Sequence, residues 1–206
     1  MRNTLFSLLI ALFCASTNAD TSTPTRYISS DVAIGILHNA HVVILDGVTD
    51  GCWTNIEAVR NRAKAKLEQA GIRTYDERLA FQNGFTARLV ISGDGFRAGS
   101  VCVGTIRYSV RATVDNRFGD SESTGTVWSV EQDAVMFSKG GIATDGDNLN
   151  SVFLSNIDSY TDELISTIYS ARRDEDVKNL IDALPNLTDE PMTEERFMEI
   201  WREYNE

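Results

Sequence analysis

Two histidines, three cysteines and 30 acidic side chains are the material this chain offers for chemistry. His38 and His41 bracket Asn39-Ala40 and precede Asp46 and Asp50. If these four met at one point, imidazole and carboxylate together could activate a water, as a hydrolase does. No third ligand stands at the helical spacing of a His-Glu-x-x-His site, so no metal is expected. Gly93-Asp94-Gly95-Phe96-Arg97-Ala98 has the form of a dinucleotide fingerprint and follows a strand. A second long strand follows it, so no helix N-terminus is available for a pyrophosphate. The segment reads as a hairpin turn. Asp145-Gly146-Asp147-Asn148 opens like a calcium loop, but its twelfth position is Asn156 where a glutamate should close it. Asp147 reads better as a helix N-cap. Carboxylate pairs arise by chance in so acidic a chain and do not nominate a glycosidase. No Gly-x-Ser-x-Gly elbow or Walker loop occurs. No catalytic residue and no cofactor are therefore assigned.

The cysteines acquire meaning from the first 19 residues. Arg2 supplies a positive start, 5–15 is apolar apart from Ser7, and Ser16-Thr17-Asn18-Ala19 is a small, polar stretch. This is the layout of a secretory signal. Phe13 before Cys14 does not fit a lipoprotein site. Cleavage after Ala19 would remove Arg2 and Cys14, leaving 187 residues with a net charge of −12. Cys52 and Cys102 then remain as a pair in an oxidising compartment, where a disulfide is the simplest expectation. The chain has no Cys-x-x-Cys redox motif. A net charge of −11 over the 206 residues argues against nucleic acid as a partner. No run of eighteen apolar residues offers a transmembrane segment.

Hydropathy patterning then places these residues on elements. Residues 20–30 form a polar leader and 31–39 a short helix. Val42-Val43-Ile44-Leu45 reads as a central strand buried on both faces. Thr54-Asn55-Ile56-Glu57 has the form of a capping box, and Ile56, Val59, Ala63, Leu67 and Ala70 share one helical face up to Gly71. The opposite face of that helix carries Arg60, Arg62, Lys64 and Lys66. Residues 85–92 and 101–114 alternate as strands, with Cys102 on the core side, and 126–137 is a further strand. After a Gly- and Asp-rich connection at 140–148, the apolar positions from Leu149 to Ala171 trace a second long helix. Asp174 caps a third that Pro185 stops. The expected fold is α+β: a mostly antiparallel sheet of three to four strands, two long helices on one face, and a helical acidic tail. The domain then occupies 31–172 and the tail 173–206.

The stretch 42–71, with Asp46-Gly47 after the first strand and Gly51-Cys52-Trp53-Thr54-Asn55 opening the helix, resembles a group of small secreted bacterial proteins of unknown role. Over 42–172 the element order resembles the envelope α/β module of the TolB amino-terminal domain and of lipoproteins that activate penicillin-binding proteins. That resemblance implies an envelope binding module and carries over no catalytic residue.

The functional expectation is a non-catalytic exported binding or assembly module with an envelope or secreted protein as partner. The alternative is a secreted hydrolase built from the dispersed Asp and His residues above. The tail holds 11 acidic and 4 basic residues. Phe197, Ile200, Trp201 and Tyr204 are spaced i, i+3, i+4, i+7, so a helix over 193–204 would gather them into one apolar stripe. These four, with Trp53 as a ligand-stacking ring, are the partner-binding candidates. The basic helix face at Arg60, Lys64 and Lys66 is the expected seat for Glu194, Glu195, Glu199 and Glu203.

Overall fold

A computed structural model describes residues 30–76, 85–118 and 128–183, together with 198, 199 and 202. The signal segment, the leader and Phe197, Ile200, Trp201 and Tyr204 lie outside the described residues. A short helical turn, α1 (Ser30–Ala33), runs through a 3-10 turn at Ile34–Ile36 into β1 (Leu37–Val48). There follow α2 (Ile56–Gln69), β2 (Arg73–Tyr75), β3 (Phe85–Ala98), β4 (Val101–Phe118) and β5 (Trp128–Asp145). α3 (Asn150–Ala171) and α4 (Glu175–Ala183) close the described chain.

The sheet has five strands in the order β2-β1-β3-β4-β5. β1 runs parallel to both neighbours, and β3, β4 and β5 form an antiparallel meander. The expected three to four antiparallel strands are thus corrected to a mixed sheet. α2 is the crossover that parallel pairing requires. β2 had no signal because three residues are too few to show a period.

Two further corrections have one cause. Gly93-Asp94-Gly95 is not a turn but the middle of β3, paired with Ile106, Thr105 and Gly104. The turn comes at Gly99, whose φ of 65° suits a residue without Cβ. Likewise Gly140 and Gly141 continue β5 rather than opening a connection. In each strand glycine makes room for what lies above the sheet. A Cβ on Gly93 would sit 2.6 Å from the Trp53 ring, and one on Gly104 the same distance from Leu149. One on Gly141 would sit 2.9 Å from the Tyr160 hydroxyl.

α2 and α3 therefore cover the face that carries Gly93, Gly104 and Gly141. The core lies between them, with Ala40, Val42, Leu89, Ile91, Ile106, Tyr108 and Val110 below and Val59, Leu67, Phe153, Ile157, Leu164 and Ile168 above, all buried. α4 is fastened by Val177, buried against Gly35. Asp174 Oδ1 accepts from the Asp176 and Val177 amides, which is the expected cap. The other two expected caps are absent. Thr54 does not cap α2; instead Asn150 Oδ1 accepts from the Thr54 and Asn55 amides at 2.8 and 3.3 Å. Asp147 does not cap α3; Asn148 Oδ1 accepts from the Asn150 amide.

Candidate functional site

The Cys52–Cys102 disulfide is present, with Cα atoms 5.7 Å apart and both residues fully buried. It joins the loop before α2 to the start of β4. Asn150 fastens the same loop to α3: its Nδ2 donates to Thr54 Oγ1, and the Asn55 side chain donates to its carbonyl. Trp53 follows the disulfide directly and meets Phe153 edge to face, 5.3 Å between centroids. At 4% exposure it offers no ring to a ligand. Its candidacy as a binding residue is corrected: glycines in β3 and β4 let it sink into the core.

The imidazoles and carboxylates do not converge. His38 Nδ1 donates to the Ile36 carbonyl at 2.8 Å, at the start of β1. His41 Nε2 bonds the Asp76 carbonyl oxygen, at the β2 end. Asp46 lies about 26 Å along the strand from His38, taking roughly 3.3 Å per residue. Its Oδ1 accepts from the Val48 amide, and Asp50 Oδ2 accepts from the Arg97 amide. The hydrolase alternative therefore loses the four residues on which it was built. Among the described residues no cluster of His, Cys, Asp and Glu is arranged to hold a metal ion. No described helix is long and apolar enough to cross a membrane.

His38 nevertheless senses its surroundings. Burial is the main cause holding its pKa below the ordinary value, and Arg172 and Arg73 add to it against the opposing bond to Ile36. A histidine depressed in the folded state binds its proton more readily once unfolded. The contribution is complete above the unfolded value of about 6.5 and is lost as pH falls toward the folded value. Urea denaturation at pH 7.5 and pH 5 should show a smaller loss of stability for His38→Gln than for the parent. An NMR titration midpoint for His38 at or above 6.5 would contradict this.

The basic face of α2 makes ion pairs within the domain. Arg62 and Lys66 bind Asp158 on α3, and Lys66 also reaches Asp162 at 2.7 Å. These hydrogen bonds, from Arg62 first and then Lys66, hold the Asp158 carboxyl below its usual range. Lys64 pairs with Asp76 at 2.7 Å, and Arg60 faces Glu57 at 3.6 Å. Glu194, Glu195 and Glu203, expected to seat on this face, lie outside the described residues.

The second face of the sheet, opposite the helices, carries the candidate surface. Pleating puts residues paired across strands on the same side. One row runs Leu45, Ser92, Arg107, Gly140; the next runs Gly47, Asp94, Thr105, Ile142. Beyond them lie Phe96, Val103 and Thr144. Leu45 is 53% exposed, Phe96 55% and Ile142 80%. On the same side Arg88 stands opposite Arg111. Arg111 Nε donates to Ser109 Oγ at 3.4 Å. No carboxylate among the described residues pairs with Arg107 or Arg111.

Sequence reasoning missed this surface. The run Val42 to Leu45 reads as buried on both sides, whereas only Val42 is fully buried and Leu45 faces outward. Ile142 was placed in a connection. The usable signal was Val101 and Val103, apolar residues at the start of the side of β4 that carries Thr105, Arg107, Ser109 and Arg111.

No family model matches the chain, and no curated protein matches it. Solved structures similar to it include a single-substitution form of the PelC dodecamer from Paraburkholderia phytofirmans, at 20% identity and TM-score 0.35. That match covers 69% of this chain and 95% of that one. A second crystal form of the PelC dodecamer gives 15% identity over 72% and 94% of the chains, TM-score 0.29. A minor lipoprotein from Acinetobacter baumannii gives 10% identity over 66% and 93%, TM-score 0.29. Likeness at these TM-scores carries no argument about this chain.

Proposed function

We propose that this chain is a non-catalytic binding or assembly module of the bacterial envelope, and that it engages a protein partner through the open face of the sheet. The observation that carries this reading is the exposed pair Phe96 and Ile142 on either side of Val103 across β3, β4 and β5, with exposed Leu45 and Arg107 on the same side of the sheet. Apolar side chains scattered singly on a surface need no explanation, but several sharing one side of adjacent strands suit a protein interface. Arginine is favoured at such surfaces, and here its sign opposes that of the whole chain. Export is supported by the signal layout of 1–19 and by a disulfide of the kind oxidising compartments permit. The element order that resembles the TolB amino-terminal module is consistent with the same compartment.

Site-specific photo-crosslinking in intact cells tests the reading. A crosslinker at Phe96 or Ile142 should give a discrete adduct with one envelope protein, and the adduct should vanish with Leu45→Glu. A crosslinker at Glu57, on the exposed side of α2, should give none. Equal adducts from both sides, or none from the sheet, would refute the assignment.

A further inference from the structure

β5 ends the sheet on one side, and among the described residues nothing pairs with its outer edge. Such an edge presents a row of unpaired N–H and C=O groups, which proteins ordinarily blunt with outward charge, proline or a bulge. β5 has a bulge at Met136, between the Phe137–Val110 and Val135–Arg111 pairs. Beyond it, 137–145 pairs with β4 without a break and contains no proline. The side of this stretch turned away from the helices carries Ser138, Gly140, Ile142 and Thr144, all exposed and none charged. Ile142 is the most exposed large apolar side chain of those described. The two charged residues of the stretch, Lys139 and Asp145, stand on the helix side and are of opposite sign. Lys139 reaches Glu163 on α3 there.

An open edge of this kind seats an extended strand, and β5 is complementary to itself. When two copies meet edge to edge and antiparallel, a dyad runs perpendicular to the sheet, and residues opposite one another share a side. A dyad at Gly141 pairs the whole unbroken stretch: Phe137 with Asp145, Ser138 with Thr144, Lys139 with Ala143, and Gly140 with Ile142. Each long side chain then stands opposite a shorter one. On the outer side the two Ile142 become diagonal neighbours over Gly140, about 7–8 Å apart and within reach of each other. On the helix side, Lys139 of each copy is the diagonal neighbour of Asp145 of the other. Asp145 Oδ1 accepts from the Asp147 amide, which leaves its second oxygen for the ammonium. Lys139 keeps donors beyond its contact with Glu163, because an ammonium has three. A dyad at Lys139 would oppose two ammonium groups directly, and one at Gly140 would set them diagonally; like charges so placed are destabilising. Glu131 and Asp133 lie beyond the bulge, outside the paired stretch.

We propose that two copies of this chain join through 137–145 of β5, antiparallel about a dyad at Gly141, so that their sheets run on as one. Both helix layers then lie on one side and both open faces on the other, which doubles the surface offered to a partner. The contact uses the rim of the sheet and does not rest on the reading of its open face. The edge alone is a small interface, so the dissociation constant is expected in the micromolar range.

The test uses protein purified after expression of the full chain, with Cys14→Ser so that each added cysteine is the one free thiol. Sedimentation equilibrium up to about 100 µM, well above a micromolar Kd, should show monomer and dimer. Ile142→Lys should weaken the dimer about tenfold or more, since it replaces the apolar contact at the dyad with like charges. Ile142 is exposed in the monomer, so the melting temperature of the dilute variant should match the parent. Register is read by mild oxidation. Ser138→Cys mixed with Thr144→Cys should give a disulfide-linked dimer, because antiparallel partners lie about 4.5–5.5 Å apart between Cα atoms, within disulfide reach. Neither variant alone should link, since residue 138 of one copy is roughly 20 Å along the strand from residue 138 of the other. A monomer at every concentration overturns the proposal and leaves the edge to a strand of another protein. A dimer indifferent to Ile142→Lys, a link formed by one variant alone, or a ladder of masses above the dimer overturns it as well, the last by showing head-to-tail contact. If the protein is monomeric while Phe96 still yields its envelope adduct, this inference falls and the binding face stands. If the dimer forms and Phe96 yields no adduct, the reverse holds.

Discussion

Reducing the Cys52–Cys102 bond is expected to lower the melting temperature by about 10 °C. The bond closes a loop with a sequence separation of 50. On the chain-entropy model such a cross-link is worth roughly 4 kcal/mol, because it removes conformations from the unfolded chain. For a domain near 190 residues each kcal/mol moves the midpoint by about 2–4 °C. The packing around the sulfurs gives no offsetting release of strain: both cysteines are buried in the main core and the neighbouring backbone is tied twice more. The Cys52 carbonyl accepts from the Leu149 amide at 2.7 Å, and Asn150 holds the next two amides. The native fold should therefore survive reduction near room temperature and fail earlier on heating. Thermal melts with and without reductant, and of Cys52→Ser/Cys102→Ser, should agree with each other. A shift under about 2 °C would show that the unfolded chain is restrained in some other way. Thiol labelling of the denatured, unreduced protein with its first 19 residues removed should find no free thiol.

A comparable loss, about 3–5 kcal/mol, is expected from Trp53→Ala. The indole lies over Gly93 and against Phe153, and its removal leaves a cavity that a sheet below and a helix above cannot collapse to fill. Its Nε1 has no hydrogen-bond partner among the described residues, so packing of the ring dominates its contribution. Trp53→Phe should accordingly lose much less than Trp53→Ala. The reciprocal change, Gly93→Ala, puts a methyl 2.6 Å from the rigid ring and should cost about 1–3 kcal/mol. The two changes relieve one another, so the double variant should be more stable than the sum predicts by at least about 0.5 kcal/mol. Strict additivity in urea unfolding would show that Trp53 and Gly93 do not share the contact described.

The α layer was legible because both long helices keep a 3.6-residue period and the disulfide follows from compartment and cysteine count. Asp174 announced its helix correctly, since no distant group competes for the amides it caps. Thr54 misled because Asn150, 96 residues away, supplies a better acceptor than the local side chain. The glycines misled for a related reason. In a single sequence a glycine pair marks a turn, whereas Gly93, Gly104 and Gly141 are there for Trp53, Leu149, Phe153 and Tyr160, which approach from other parts of the chain. The open face stayed hidden because an apolar run such as Val42 to Leu45 does not say which of its sides will be covered. The charge pattern on α2 was visible, but its partners Asp158 and Asp162 become neighbours only once α2 and α3 pack side by side.

The place of β1 between two parallel partners bears on the order in which the sheet forms. β3, β4 and β5 pair with sequence neighbours and can zip from the Gly99 turn outward. β1 cannot: its register with β3 joins Val42 to Leu89 and Val48 to Gly95, each pair 47 positions apart. Long closures of that kind are slow, so β1 is expected to join the sheet after the meander has formed. Until then Val42-Val43-Ile44-Leu45 is an unpaired β-branched segment, the stretch of this domain most open to wrong pairing. Asp46 and Asp50, just beyond it, place negative charge beside the run, the kind of flank that opposes association with other chains.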